Sequence, residues 1–142
     1  MELTRKAEYA IAALADLASQ EKGAFILSRD IAKRQRIPPN FIPQIIATLS
    51  RKGWVEGVRG SRGGVRLRVP PEEINITQVI ELMEGPIALN KCLVSEGICS
   101  NESNCVLRGL WAKAQARMLE VLDGTTIADL VEAKRSLEQQ ED

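Results

Sequence analysis

Apolar residues recur every three or four positions as far as Lys52-Gly53 and every second position beyond it, so the chain must change there from helices to strands. Three helical patterns precede the change. Tyr9, Ile11, Ala12, Leu14, Ala15, Leu17 and Ala18 mark an amphipathic helix of about four turns, with Thr4 placed to cap it. Ser28 to Gln35 reads as a short helix capped by Ser28 and halted by Arg36-Ile37-Pro38-Pro39. The third pattern runs from Asn40 through Phe41, Ile42, Ile45, Ile46 and Leu49, and stops at Lys52-Gly53, where a basic residue and a glycine are the usual end signals. Pro43 is compatible with that helix if Asn40 is the cap, because the amides of the first turn have no intrahelical partner to lose.

Beyond Gly53, Trp54, Val55 and Val58 lead into Arg59-Gly60-Ser61-Arg62-Gly63-Gly64, and Val65, Leu67 and Val69 then alternate with Arg66 and Arg68. This predicts a two-stranded hairpin with a basic, glycine-rich tip. Two short helices, a tight turn and a basic hairpin make a winged helix-turn-helix. The helix from Asn40 would then enter the major groove, and the tip would follow the backbone or reach the minor groove. Charge falls on the same stretch. The chain is neutral overall, yet residues 29–68 hold 10 basic and 2 acidic side chains, whereas residues 69–142 hold 6 and 13. A basic block suggests a polyanion surface; the plainer alternative is a helical core unit with a solvated hairpin. The fold expected is mainly α with a small β-hairpin: a winged helix-turn-helix over residues 1–70, then a cysteine loop (90–105) and dimerisation helices within 71–142.

In that second half, Thr77 to Met83 forms a helix stopped by Gly85-Pro86, and a long helix from about Cys105 carries Val106, Leu107, Leu110, Trp111, Ala114, Met118, Leu119, Val121 and Leu122. Its apolar stripe is wide enough to meet more than one neighbour. Thr126 and Asp129 have the spacing of a capping box opening a last helix through Leu130, Val131 and Leu137, with Glu138 to Asp142 as a frayed tail. A long apolar helix beside a DNA-binding unit suits a homodimer on a palindromic double-stranded operator. The alternative is that the stripe packs on its own subunit.

All 3 cysteines, Cys92, Cys99 and Cys105, fall in one polar segment of a 142-residue chain that contains no histidine. No membrane span or leader is evident in the sequence, and a cytoplasmic protein is expected. Thiols stay reduced there, which favours metal or redox chemistry over a disulfide framework. The spacing C-x6-C-x5-C is too wide for a zinc knuckle, and structural zinc would lack a fourth protein ligand of the usual kind. An iron-sulfur cluster, 4Fe-4S or 2Fe-2S, accepts a non-cysteine ligand at one iron. Three unrelated loop cysteines are the alternative. With no histidine, no phosphate-binding glycine loop before a helix and no pairing of nucleophile with base, an enzyme is not expected.

The stretches LTRKAEYAIAALADLA, ILSRDIAKRQRIPPNFIPQIIATLSRKGWVEGVRGSRGGVRL, ITQVIELMEG and TTIADLV, together with the three cysteines, resemble the iron-sulfur winged-helix regulators that include IscR, NsrR, RirA and CymR. The resemblance runs from Met1 to about Leu137. It implies a homodimer joined through the long helix, with Cys92, Cys99 and Cys105 holding the cluster. Where the IscR branch has a histidine three residues after the last cysteine, this chain has Arg108, a permanent cation. Other branches use a first-helix carboxylate from across the dimer, at the position of Glu8; Glu96 and Glu102 are weaker candidates. The resemblance also assigns DNA contacts to Asn40, Gln44, Arg59, Ser61 and Arg62, with Ser28, Arg29, Lys33 and Lys6 on the phosphates. Pro43 replaces the glutamate by which IscR-type proteins discriminate between sites. The function implied is a repressor responsive to nitric oxide, redox or iron. The rivals are a cluster-free thiol switch on the same scaffold and an iron-sulfur electron carrier or assembly protein.

Overall fold

A computed structural model describes residues 2–58, 64–93 and 105–141. The architecture is mainly helical with one antiparallel hairpin: α1 (Arg5–Ser19), α2 (Ser28–Gln35), α3 (Ile42–Lys52), β1 (Val55–Val58), β2 (Gly64–Leu67), α4 (Ile76–Glu84), α5 (Val106–Asp123) and α6 (Ile127–Gln140). The amphipathic period of α1 places Ala7, Ala10, Ala13, Leu14 and Leu17 in the interior, and this helix is the axis of the fold. Around it lie α2, α3, β2, α4 and α6. Ile31, Ile45, Leu49, Val55, Ile74, Val79, Ile80 and Ile127 complete a single core drawn from both halves of the chain.

The helix ends follow local chemistry, with two departures from the sequence reading. Thr4 caps α1 by accepting the Ala7 amide at 3.3 Å, as its spacing predicts. Ser28, however, is the first helical residue of α2; Leu27 occupies the cap position, and no side chain fills it. Asn40 likewise does not cap α3. The Pro38 carbonyl instead accepts the Phe41 amide at 3.0 Å, and this turn delays the helix until Ile42. Pro43 still falls in the first turn. Gly53 ends α3 with φ 88°, a left-handed conformation glycine adopts without a side-chain clash.

Two reciprocal capping boxes start the C-terminal helices. Asn75 and Gln78 open α4, and Thr126 and Asp129 open α6. A bridge between Asn75 and Thr126 places those two starts side by side. Thr126→Ala is expected to lower stability by about 1 kcal/mol, measurable as a shift in the urea midpoint with an unchanged slope. The tail expected to fray after Leu137 remains helical to Gln140.

The hairpin is wider than its sequence pattern suggests. Val55 pairs with Leu67, Glu56 with Arg66, Gly57 with Val65 and Val58 with Gly64. On the far side of β2, Ile26 and Val65 exchange backbone hydrogen bonds of 2.8 and 2.7 Å. This bridge fastens the wing to the α1–α2 connection. By contrast, α5 has no buried residue: Val106 is 87% exposed, and Leu107, Leu110 and Val121 are also open. Within one chain, its stripe therefore does not find the several neighbours its width would allow.

Candidate nucleic-acid interface and cysteine segment

α3 divides cleanly. Ile42, Ile45 and Leu49 face the core, while Pro43, Gln44 and Ala47 are exposed, as is Asn40 in the preceding turn. Edge-to-face packing of Phe41 on Tyr9, with ring centroids 5.4 Å apart, sets the entry of α3 against α1. On α2, Arg29 and Lys33 are exposed and Ser28 is half-buried. All three border a groove that also includes Pro39 and Ile42 at the start of α3. The groove thus brings Ser28, Arg29 and Lys33 together beside the start of α3, while Asn40 and Gln44 are exposed at and near that start. Lys6, half-buried, lies in the first turn of α1. Arg59, Ser61 and Arg62 lie outside the described residues.

Several cations of the basic block serve the fold itself. Arg34 makes a forked contact with Asp16, Nε to Oδ2 at 2.9 Å and Nη2 to Oδ1 at 2.7 Å, and the Gln35 amide donates to Oδ2 at 2.9 Å. Burial pushes the Asp16 carboxyl up, but its bonds from Arg34 and Gln35 and the charges of Arg34 and Lys134 bring it below the ordinary carboxylate range. Arg66 stacks on Phe25, 4.4 Å from the ring centroid, and pairs with Glu56 at 2.5 Å. Lys52 lies over Trp54 at 5.7 Å. The sequence alone does not separate these engaged charges from the rest of the block. The available signal for the first contact was Asp16 itself, a carboxylate set between Leu14 and Leu17 on the apolar stripe.

At the cysteine end, Cys105 occupies the N-cap position of α5 and Cys92 lies in the short turn Lys91–Leu93, both as half-buried free thiols. The Gln115 side chain accepts the Leu89 amide at 3.0 Å, which ties the approach to Cys92 onto α5. Glu8 is exposed in the first turn of α1. Next to that turn, Glu84 at the end of α4 accepts the Thr4 amide at 2.5 Å. Cys99, Glu96 and Glu102 lie outside the described residues. Among the described residues, no three ligating side chains gather at one point. Neither Gln115 nor Glu84 carried a sequence signal, because each acts on a backbone amide far away in the chain.

Two helices joined by a tight turn, a wing held against the scaffold, and an exposed recognition face define a transcription regulator of the winged helix-turn-helix class. Its relatives are regulators of the same kind. IscR of Aliivibrio salmonicida is 33% identical over 131 residues, covering 92% of this chain and 77% of that protein. NsrR of Bacillus subtilis is 32% identical over 138 residues, covering 96% and 94%. The crystal structure of oxidised CymR from Staphylococcus aureus superposes with a TM-score of 0.75 at 30% identity, covering 93% of this chain and 97% of that one. The chain belongs to the Rrf2 family, described as iron-dependent transcriptional regulators, whose pattern matches residues 3–133.

Proposed function

We propose that the protein is a homodimeric, cytoplasmic repressor that binds a palindromic operator under the control of an iron-sulfur cluster. Residues 1–70 read DNA, and residues 71–142 sense and dimerise. The observation that carries this reading is the open apolar face of α5, whose N-cap is Cys105 and which leaves Val106, Leu107 and Leu110 exposed beside the cysteine segment. A second copy packed there would cover the stripe and bring its own α1 toward the cysteines. The donor set suits the cluster chemically. Cys92, Cys99 and Cys105 supply thiolates, and Glu8, contributed across the dimer, supplies a carboxylate as the fourth ligand. When bound, the cluster supplies a centre labile to nitric oxide, oxygen or iron shortage.

The chain's own residues provide the coupling to DNA. Glu8 lies on the same helix as Asp16, and Asp16 grips α2 through Arg34 and Gln35. A shift of α1 is thereby felt at α2 and α3, whose spacing across the dimer sets operator fit. Asn40, Gln44, Arg59, Ser61 and Arg62 read or follow the DNA, and Ser28, Arg29, Lys33 and Lys6 hold phosphates.

The test is anaerobic absorption and Mössbauer spectroscopy of wild type beside Glu8→Ala and Cys99→Ser. Visible absorption is expected in wild type and lost in Cys99→Ser, while Glu8→Ala changes the environment of one iron. An unchanged Mössbauer spectrum in Glu8→Ala removes the carboxylate from the ligand set. Colourless, iron-free wild type would favour a second reading, a thiol switch without a cluster. That reading is supported by the half-buried free thiols of Cys92 and Cys105 and by the likeness to a CymR structure in an oxidised form.

A further inference from the structure

Arg36 ends α2 with φ 55° and ψ 40°, and it is the one non-glycine with positive φ among the described residues. Its amide reaches back to the Ala32 and Lys33 carbonyls, the arrangement that closes a helix on a left-handed residue. Glycine or asparagine usually occupies such a position, because a longer side chain crowds the backbone there. Positions 23, 53 and 85 of this chain, also left-handed in φ, are all glycine. Arginine at position 36 is therefore disfavoured by the local backbone.

The side chain's surroundings suggest what offsets that disadvantage. Arg36 is exposed and borders the groove between α2 and the start of α3, together with Arg29 and Lys33. Arg29 and Lys33 lie four residues apart on α2 and so share a face of it, and Arg36, just past its end, borders the same groove. None of the three has an ion-pair partner among the described residues, whereas Arg34, two positions earlier, is held by Asp16 and also feels the charge of Asp30. Among the described residues, no ion pair requires arginine at this turn.

We propose that Arg36 binds a DNA backbone phosphate at the helix-turn-helix corner, and that this contact is why α2 ends on arginine in place of glycine. The proposal rests on the DNA-binding reading of this face and adds a residue that sequence reasoning did not select. It exchanges fold stability for affinity. Arginine is suited to the role because its planar fork meets two phosphate oxygens at once, and a contact of this kind gives affinity without sequence preference.

The test compares the full-length wild type with Arg36→Gly and Arg36→Lys, using thermal melting and binding to a short random-sequence DNA duplex over a salt series. Arg36→Gly is expected to melt about 2 to 6 °C higher. It should also bind the duplex about fivefold more weakly per subunit, with the slope of log affinity against log salt shallower by about 0.9 per subunit. Arg36→Lys keeps both the charge and the strained backbone, so its melting point and salt slope should stay near wild type. An Arg36→Gly variant with unchanged affinity and slope overturns the phosphate contact, and one that melts lower overturns the exchange of stability for affinity. Failure of the DNA-binding reading is distinguishable, because the wild type itself would then show no salt-dependent binding to the duplex.

Discussion

Asp16→Ala is expected to lower the stability of the folded chain by about 3 kcal/mol, roughly 10 °C in melting temperature for a protein of this size. The carboxylate is 2% exposed at its side chain and accepts three hydrogen bonds, two from Arg34 and one from Gln35. Removing it leaves the Gln35 amide and one edge of the guanidinium without their acceptor in a site water reaches poorly. The figure is set below that for a fully buried pair because the Arg34 side chain is 43% exposed and retains water on its outer edge. Asp16→Asn separates charge from shape. It keeps one carbonyl acceptor but loses the ionic pair, so its loss should be about half as large.

The same contact gives a signed pH dependence. The folded Asp16 carboxyl titrates below its ordinary value, so the folded state binds its proton less readily than the unfolded chain does. Its contribution to stability is then present above the unfolded value of about 4 and is lost as pH falls through the lower folded value. Denaturant titrations from pH 6 down to about 3 should show a shallower acid loss in Asp16→Asn than in wild type. Parallel curves for the two proteins would mean that Asp16 titrates alike in both states. Binding to DNA should weaken as well, since α2 is fixed to α1 through this side chain.

The features visible in sequence were those made by neighbours in the chain. Helical periods, the Thr4 cap, the Thr126–Asp129 box, the glycine after Lys52 and the change to period two all follow from residues within a few positions of one another. Ser28 and Asn40 misled for a specific reason. Both are good capping types directly before a periodic run, but the turn through Pro38 and Phe41 and the extended Leu27 determined where the amides first entered the helices. The Asp16 grip, the Gln115 tie and the Ile26–Val65 bridge join residues 19, 26 and 39 positions apart, as in Gln35 to Asp16, Gln115 to Leu89 and Val65 to Ile26. Single-sequence periodicity carries no information on such pairings. The basic block was legible as a total only. Which cations are held by a carboxylate, as Arg34 and Arg66 are, depends on where the fold places Asp16 and Glu56.

Gly64→Ala is expected to be the more damaging methyl addition at the described wing glycines, lowering stability by about 2 to 4 kcal/mol. Gly64 has φ 154°, and a Cβ there would lie 2.8 Å from the Ile26 carbonyl oxygen and 2.9 Å from its carbon. The obstacle is backbone, so no rotamer change relieves it. Either Ile26 moves away, breaking its paired hydrogen bonds with Val65, or β2 shifts against β1. In both cases the wing loses its anchor to the α1–α2 connection. Hydrogen exchange at the Ile26 and Val65 amides should quicken far more than at the buried amides of α1, showing that the damage is local. Gly57→Ala is the control. Its Cβ would meet only the Gly64 carbonyl oxygen at 3.5 Å, an ordinary contact, and should change stability by less than about 0.5 kcal/mol. Equal effects of the two substitutions would show that the close approach at Ile26 does not hold the wing, whereas a loss confined to Gly64→Ala, accompanied by weaker DNA binding, identifies that approach as what sets the wing's position.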